Sequence, residues 1–191
     1  MRTLRLSLVG TVILMLLGVA GGTSIAEDDQ VSDPTAIVTG SMLEMTSDPS
    51  ELEYSAEGVD GEPDWVGHGR GLMTMQTAEW SDPRLPSEIQ SVANFDEYGP
   101  PGSAFYAFSS RWLLEGPDGY WEGPWTGFCD SVDHCHGTVI LTGHGGYEGL
   151  YAVLAEKPGE GSSGGSGQVV EGVILFGEMP PMPDPVEPST D

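Results

Sequence analysis

The chain has 191 residues, thirty of them acidic and six basic, for a formal charge of −24. A field of that sign repels phosphate backbones and anionic lipid, which excludes nucleic acid as a partner and disfavours a charged membrane surface. Once the two ends are set aside the length suits one domain, able to bury roughly two-thirds of its unfolded surface.

Arg2 and Arg5 open the chain, an uncharged apolar run follows from Leu6, and small residues at Ser24, Ile25 and Ala26 precede the acidic Glu27, Asp28 and Asp29. That order predicts a cleaved signal peptide over 1–26 and a secreted or periplasmic protein. The alternative is an uncleaved N-terminal membrane anchor, because residues 6–26 carry no charge and a span needs roughly 20 apolar residues. Gly21, Gly22, Thr23 and Ser24 dilute the second half of the run and favour cleavage. Cleavage removes two basic residues and no acidic one, so the charge becomes −26. Nothing in the remaining chain then calls for a membrane.

Residues 27–35 read as a disordered acidic N-terminus, and residues 36–178 as one β domain. Apolar residues recur in short runs broken by Gly, Pro and Asp, and no run keeps a helical period. Strands are expected at 36–45, 65–80, 87–95, 103–115, 120–129, 137–142, 147–156 and 168–177, with a further short one at 52–56. Turn chemistry separates them at Ser81-Asp82-Pro83-Arg84, Gly99-Pro100-Pro101-Gly102, Gly116-Pro117-Asp118-Gly119 and Gly143 to Gly146. Proline presets one turn dihedral and glycine supplies the positive one. The expected architecture is all-β, an antiparallel up-and-down barrel of about eight strands, because closure removes exposed edges.

Candidate chemistry appears first in the acidic triplet Asp60, Glu62 and Asp64, which alternates like a calcium loop. Trp65 stands where that loop needs glycine and Gly71 where it needs glutamate, so a solvated acidic loop is expected. His68 and Arg70 share one face of the next strand, and Arg111 is a third positive group. In a cavity they would hold an anionic head group; on the surface they would pair with neighbouring acids. Met42, Met45, Met73 and Met75 fit core filling better than a cuprous site.

Along 103–114 the even positions Ala104, Tyr106, Phe108, Trp112 and Leu114 form an apolar face broken only by Ser110. Along 120–129 Trp121, Gly123, Trp125, Gly127 and Cys129 share a face, so large rings alternate with glycines that permit bending or close approach. Cys129 and Cys135 are the only cysteines, and in an exported chain they are expected to form a disulfide across the turn between two strands. A metal site from Cys129, His134, Cys135 and His136 is disfavoured, because consecutive residues of an extended strand point to opposite faces.

Gly159 to Gly167 contains only Gly, Ser and Glu160 and reads as a flexible loop. It also satisfies a nucleophile-elbow pattern at 161–165, without the strand and helix that chemistry requires. Neither Gly67 to Gly71 nor Gly143 to Gly146 completes a dinucleotide fingerprint. The tail 179–191, with Pro180, Pro181, Pro183, Pro185 and Pro188, reads as disordered.

The stretch 139–151, with Thr142, Gly143, Gly145 or Gly146, Tyr147 and Gly149, followed by 170–177, resembles the C-terminal strands of the allene oxide cyclase and dirigent barrels. The resemblance implies an eight-stranded antiparallel barrel with an apolar cavity. It maps no catalytic residue onto this chain, so any activity would be analogy alone.

Two functional readings follow. In the first, a lumen lined by Tyr106, Phe108, Trp112 and Trp125, with His68, Arg70 and Arg111 as polar anchors, binds a small apolar or anionic amphipathic molecule. In the second, the barrel is filled by its own side chains and serves as a non-catalytic extracellular structural or interaction module. An open cavity of roughly 300 Å³ or more would favour the first and a filled interior the second. No acid–base or nucleophile–base pair points to an enzyme, and no cofactor or metal is implied.

Overall fold

A computed structural model describes residues 35–59, 62–99, 105–132, 134–163 and 166–179. The signal segment 1–26, the acidic N-terminus before residue 35, Asp60 of the acidic triplet and the Pro-rich tail beyond Met179 lie outside the described residues.

The described chain is all β: β1 (Ala36–Asp48), β2 (Glu53–Glu57), β3 (Val66–Trp80), β4 (Glu88–Tyr98), β5 (Phe105–Glu115), β6 (Gly119–Cys129), β7 (Cys135–Gly145), β8 (Leu150–Ser163) and β9 (Ser166–Phe176). From β3 to β9 each strand pairs antiparallel with the next in sequence. The first half of β1, Ala36 to Ser41, pairs with β9, and its second half pairs with β3, which closes eight strands into a barrel. β2 continues β1 past the 49–52 turn and pairs with the N-terminal half of β3, Glu53 opposite Arg70 and Glu57 opposite Val66. The seam where the barrel closes is therefore joined to β9 only as far as Ser41.

Alternation decides what fills the interior. The inward positions Val38, Ile89, Trp112, Leu114, Trp121, Val139, Leu141, Ala152, Val170 and Ile174 are buried to 0% exposure. Burial of each large apolar side chain contributes about 1.5–3 kcal/mol. Most of these residues crowd one end of the barrel, where the β3–β4 connection folds over the opening. Leu85 inserts there, Trp121 Nε1 donates to Arg84 O at 2.8 Å, and Trp80 Nε1 donates to Pro86 O at 2.9 Å. Asp82 anchors the same turn through Arg84 at 2.7 Å, and that hydrogen bonding holds its carboxyl below the usual carboxylate range.

Glycine is required where backbones close in. A side chain at Gly123 would stand 1.9 Å from Ile140 O, so the crossing of β6 and β7 tolerates none. Tyr147 packs its backbone over Gly143 and stacks its ring on Trp121 at 5.3 Å, closing the β7–β8 turn onto the filled end.

The Gly/Ser stretch departs from its expected loop. β8 runs through Ser163 and β9 starts at Ser166, with Ser163 paired to Ser166 after an irregularity beginning at Pro158. Ladder hydrogen bonds use backbone groups alone, so a segment without apolar side chains extends a hairpin whose base is already paired. Gly159 makes this possible, since a side chain there would meet Gly167 O at 2.2 Å.

Candidate functional site

Among the described residues, the end of the barrel opposite the β3–β4 turn is not filled. Phe108 and Trp125 pack with ring centroids 4.2 Å apart, and Trp112 lies below at 5.2 Å from Trp125. Above them is a partly open cavity of about 100 Å³, walled by Leu72, Thr74 and Gln76 of β3, Ala93 and Phe95 of β4, Tyr106 and Phe108 of β5, Trp125 of β6, Met45 of β1, and Glu156 of β8, with the Cys129–Cys135 disulfide at its rim. Met45 lies on the part of β1 that pairs with β3 alone and is 36% exposed, so the cup reaches solvent along the incompletely joined seam.

The volume falls between the two expectations. It is smaller than a drug-sized pocket of roughly 300–1,000 Å³. It still has room for about three waters, or a group of four or five heavy atoms.

Tyr106, Phe108 and Trp125 line the cup, and Trp112, fully buried, forms the layer beneath it. His68, Arg70 and Arg111 stand on the outer surface. His68 Nδ1 and Arg70 Nη2 meet Asp96 Oδ1 at 2.8 and 2.6 Å, and Arg111 meets Glu122 Oε2 at 2.6 Å. The hydrogen bonds from His68 and then Arg70 hold the Asp96 carboxyl below its ordinary value. The outward direction follows from alternation, because the buried Gly67 and Gly69 occupy the inward positions of β3.

One residue of the cup escaped the sequence reading. Glu156 is 5% exposed and lines the cavity, and its Oε2 accepts a 2.7 Å hydrogen bond from Trp125 Nε1. Burial pushes its carboxyl up to about 7 against the opposing pull of that hydrogen bond. Gly137 makes the contact possible, since a side chain there would come within 2.6 Å of the indole nitrogen and 3.1 Å of the carboxylate. The signal was present in the sequence: Ala152, Leu154 and Glu156 alternate on one face, which places an acid at an inward position. The other polar groups of the wall are accounted for locally. Thr74 Oγ1 meets Ser91 Oγ at 2.5 Å, and Gln76 Nε2 reaches Met45 Sδ at 3.5 Å.

Cys129 and Cys135 face each other as the last pair of β6 and β7 and are joined as a disulfide. The bond occupies both thiols of the disfavoured metal set, and no cluster of three or more potential ligands occurs among the described residues. Disulfides persist in oxidising, extracytoplasmic compartments. No described helix is long and apolar enough to cross a membrane. No family model matches the chain, and no curated protein or solved structure matches it significantly.

Proposed function

We propose that the protein is an exported binding module whose half-open lumen takes a small, largely apolar molecule. The observation that carries this reading is the cup itself, a cavity of about 100 Å³ with four aromatic residues and one buried carboxyl in its wall. A barrel that served only as a scaffold gains stability by filling such a space, since an empty apolar void forfeits packing. At the other end of this barrel Ile89, Leu114 and Trp121 leave no exposure. Export rests on the order of charges and apolar residues at the N-terminus and on the disulfide. Kinship with allene oxide cyclase and dirigent barrels belongs to the same proposal, supported by the Thr142 to Gly149 turn and by the closed eight-stranded architecture. Among the described residues no positive side chain lines the cup, which argues against an anionic head group as the polar part of the ligand.

The test is an NMR titration with a panel of small molecules: benzene, tert-butanol, butyrate and butylamine. At least one is expected to shift the amides of Ala93, Phe108 and Gly137 saturably, and Ala93→Leu, whose longer side chain enters the cup, abolishes those shifts. Saturable shifts that persist in Ala93→Leu, or none with any probe, contradict the proposal.

A further inference from the structure

The chemistry of the cup is lopsided. Among the described residues its wall carries one carboxyl, that of Glu156, and no Lys, Arg or His. The nearest positive groups on neighbouring strands point outward. Lys157, next to Glu156 on β8, pairs with Glu171 of β9 at 2.7 Å, and His136 of β7 stacks outside on Phe128 at 5.2 Å. From β9 the neighbour of Glu156 is Val170, with the buried Gln168 nearby; from β7 it is Gly137 and the disulfide. Across the lumen stand Trp125, Phe108, Tyr106, Phe95, Ala93, Leu72, Thr74, Gln76 and Met45, none of them a Lys, Arg, His, Asp or Glu.

We propose that this cup binds a small alkylammonium group, with Glu156 as its counter-ion and Phe95, Tyr106, Phe108 and Trp125 as its walls. The inference rests on the reading of the cup as a ligand site and assigns its ligand class. An anion would meet a carboxyl with no compensating cation, and a purely apolar guest would leave that carboxyl buried without a partner beyond Trp125. A cation pairs with it, and aromatic faces attract cations through their quadrupoles, most strongly when desolvated. The size agrees, because a group of four or five heavy atoms matches the space of about 100 Å³. The net charge of −24 raises the local concentration of cations around the whole molecule.

The pairing has a proton consequence. The ammonium pairs with the ionised carboxyl, whereas burial keeps that carboxyl protonated up to about 7. Binding therefore releases a proton below that pH, and affinity falls about tenfold per pH unit below 7 and levels off above it.

The test is calorimetric titration of the full chain with tetramethylammonium, which cannot itself titrate, beside tert-butanol as a neutral probe of similar shape, from pH 5 to 9. The expected result is saturable binding of tetramethylammonium at pH 8 that weakens about tenfold per unit below pH 7, with tert-butanol at least tenfold weaker at pH 8. Glu156→Gln lowers tetramethylammonium affinity at least tenfold and removes its pH dependence. Phe108→Leu, which keeps the cup apolar, weakens tetramethylammonium several-fold and leaves tert-butanol unchanged, and it serves if the Gln variant does not fold. Equal affinity for the two probes, or tetramethylammonium binding insensitive to both substitutions, overturns the inference. Binding of tert-butanol without tetramethylammonium overturns the ligand class while the cup stands as a site. Failure of every probe, including those of the broader panel, removes the site as well.

Discussion

Glu156 is where the interior departs from a packed core. A carboxyl 5% exposed beside Phe108 and Trp125 is costly to ionise, and its value near 7 expresses that cost. Its folded value lies above the ordinary 4.5, so the folded state binds the proton more tightly than the unfolded chain does. The stabilisation is therefore fully present below pH 4.5 and is lost as pH rises through 7, an effect of about 3 kcal/mol. Asp82 and Asp96, whose carboxyls are held low, act with the opposite sign at more acidic pH. Glu156→Gln keeps an acceptor for Trp125 Nε1 and removes the titration. In denaturant unfolding, the stability of the natural protein relative to this variant is expected to fall by about 3 kcal/mol between pH 4.5 and pH 8. A difference that stays constant across this range would show that the carboxyl is solvated in the fold.

At the scale of the strands, alternation makes most of the structure legible in the sequence. The inward rows Tyr106, Phe108, Ser110, Trp112, Leu114 and Trp121, Gly123, Trp125, Gly127, Cys129 fall on the lumen side as their period of two requires. Glu156 obeys the same rule less visibly, because an acid among thirty reads as surface until its row is followed inward. His68 and Arg70 show the complementary difficulty. A shared face is visible in sequence, but whether it points in or out depends on Gly67 and Gly69, which carry no hydrophobic signal. The Gly/Ser stretch misleads for a related reason, since composition reports side chains and the hairpin at 159–167 is held by backbone pairing. The disulfide joins the ends of β6 and β7 across a separation of six residues, so its closed loop is short and its chain-entropy contribution is about 2.4 kcal/mol. The double variant with Ser at Cys129 and Cys135 is expected to fold, to lose about 2 kcal/mol in urea unfolding, and to keep its far-UV spectrum. Failure to fold would mean that the bond, and not the strand ladder, is what makes the barrel possible.

At the scale of the domain, the described residues form a barrel closed by one strand that is shared between two neighbours. β1 gives its first half to β9 and its second half to β3, and past Ser41 the seam is joined on the β3 side alone. One end is solid because the turn at 81–86 lies over it, whereas the cup at the other end has Met45, Leu72, Phe95, Tyr106 and the disulfide among the described residues of its wall. The short apolar runs and turn signals sufficed to infer closure, whereas the seam depends on pairings between residues far apart in the chain, such as Gly40 with both Trp80 and Val170. Closure also withdraws Glu156 from bulk water, to 5% exposure, and its titration reports on closure directly. If the strands formed an open sheet, its carboxyl would face water and titrate like any other glutamate. The decisive measurement is a ¹³C NMR titration of the Glu156 carboxyl in the unliganded protein. A midpoint near 7 that drops when tetramethylammonium occupies the cup is expected; a midpoint near 4.5 would mean that the carboxyl faces water and that the lumen is not closed around it.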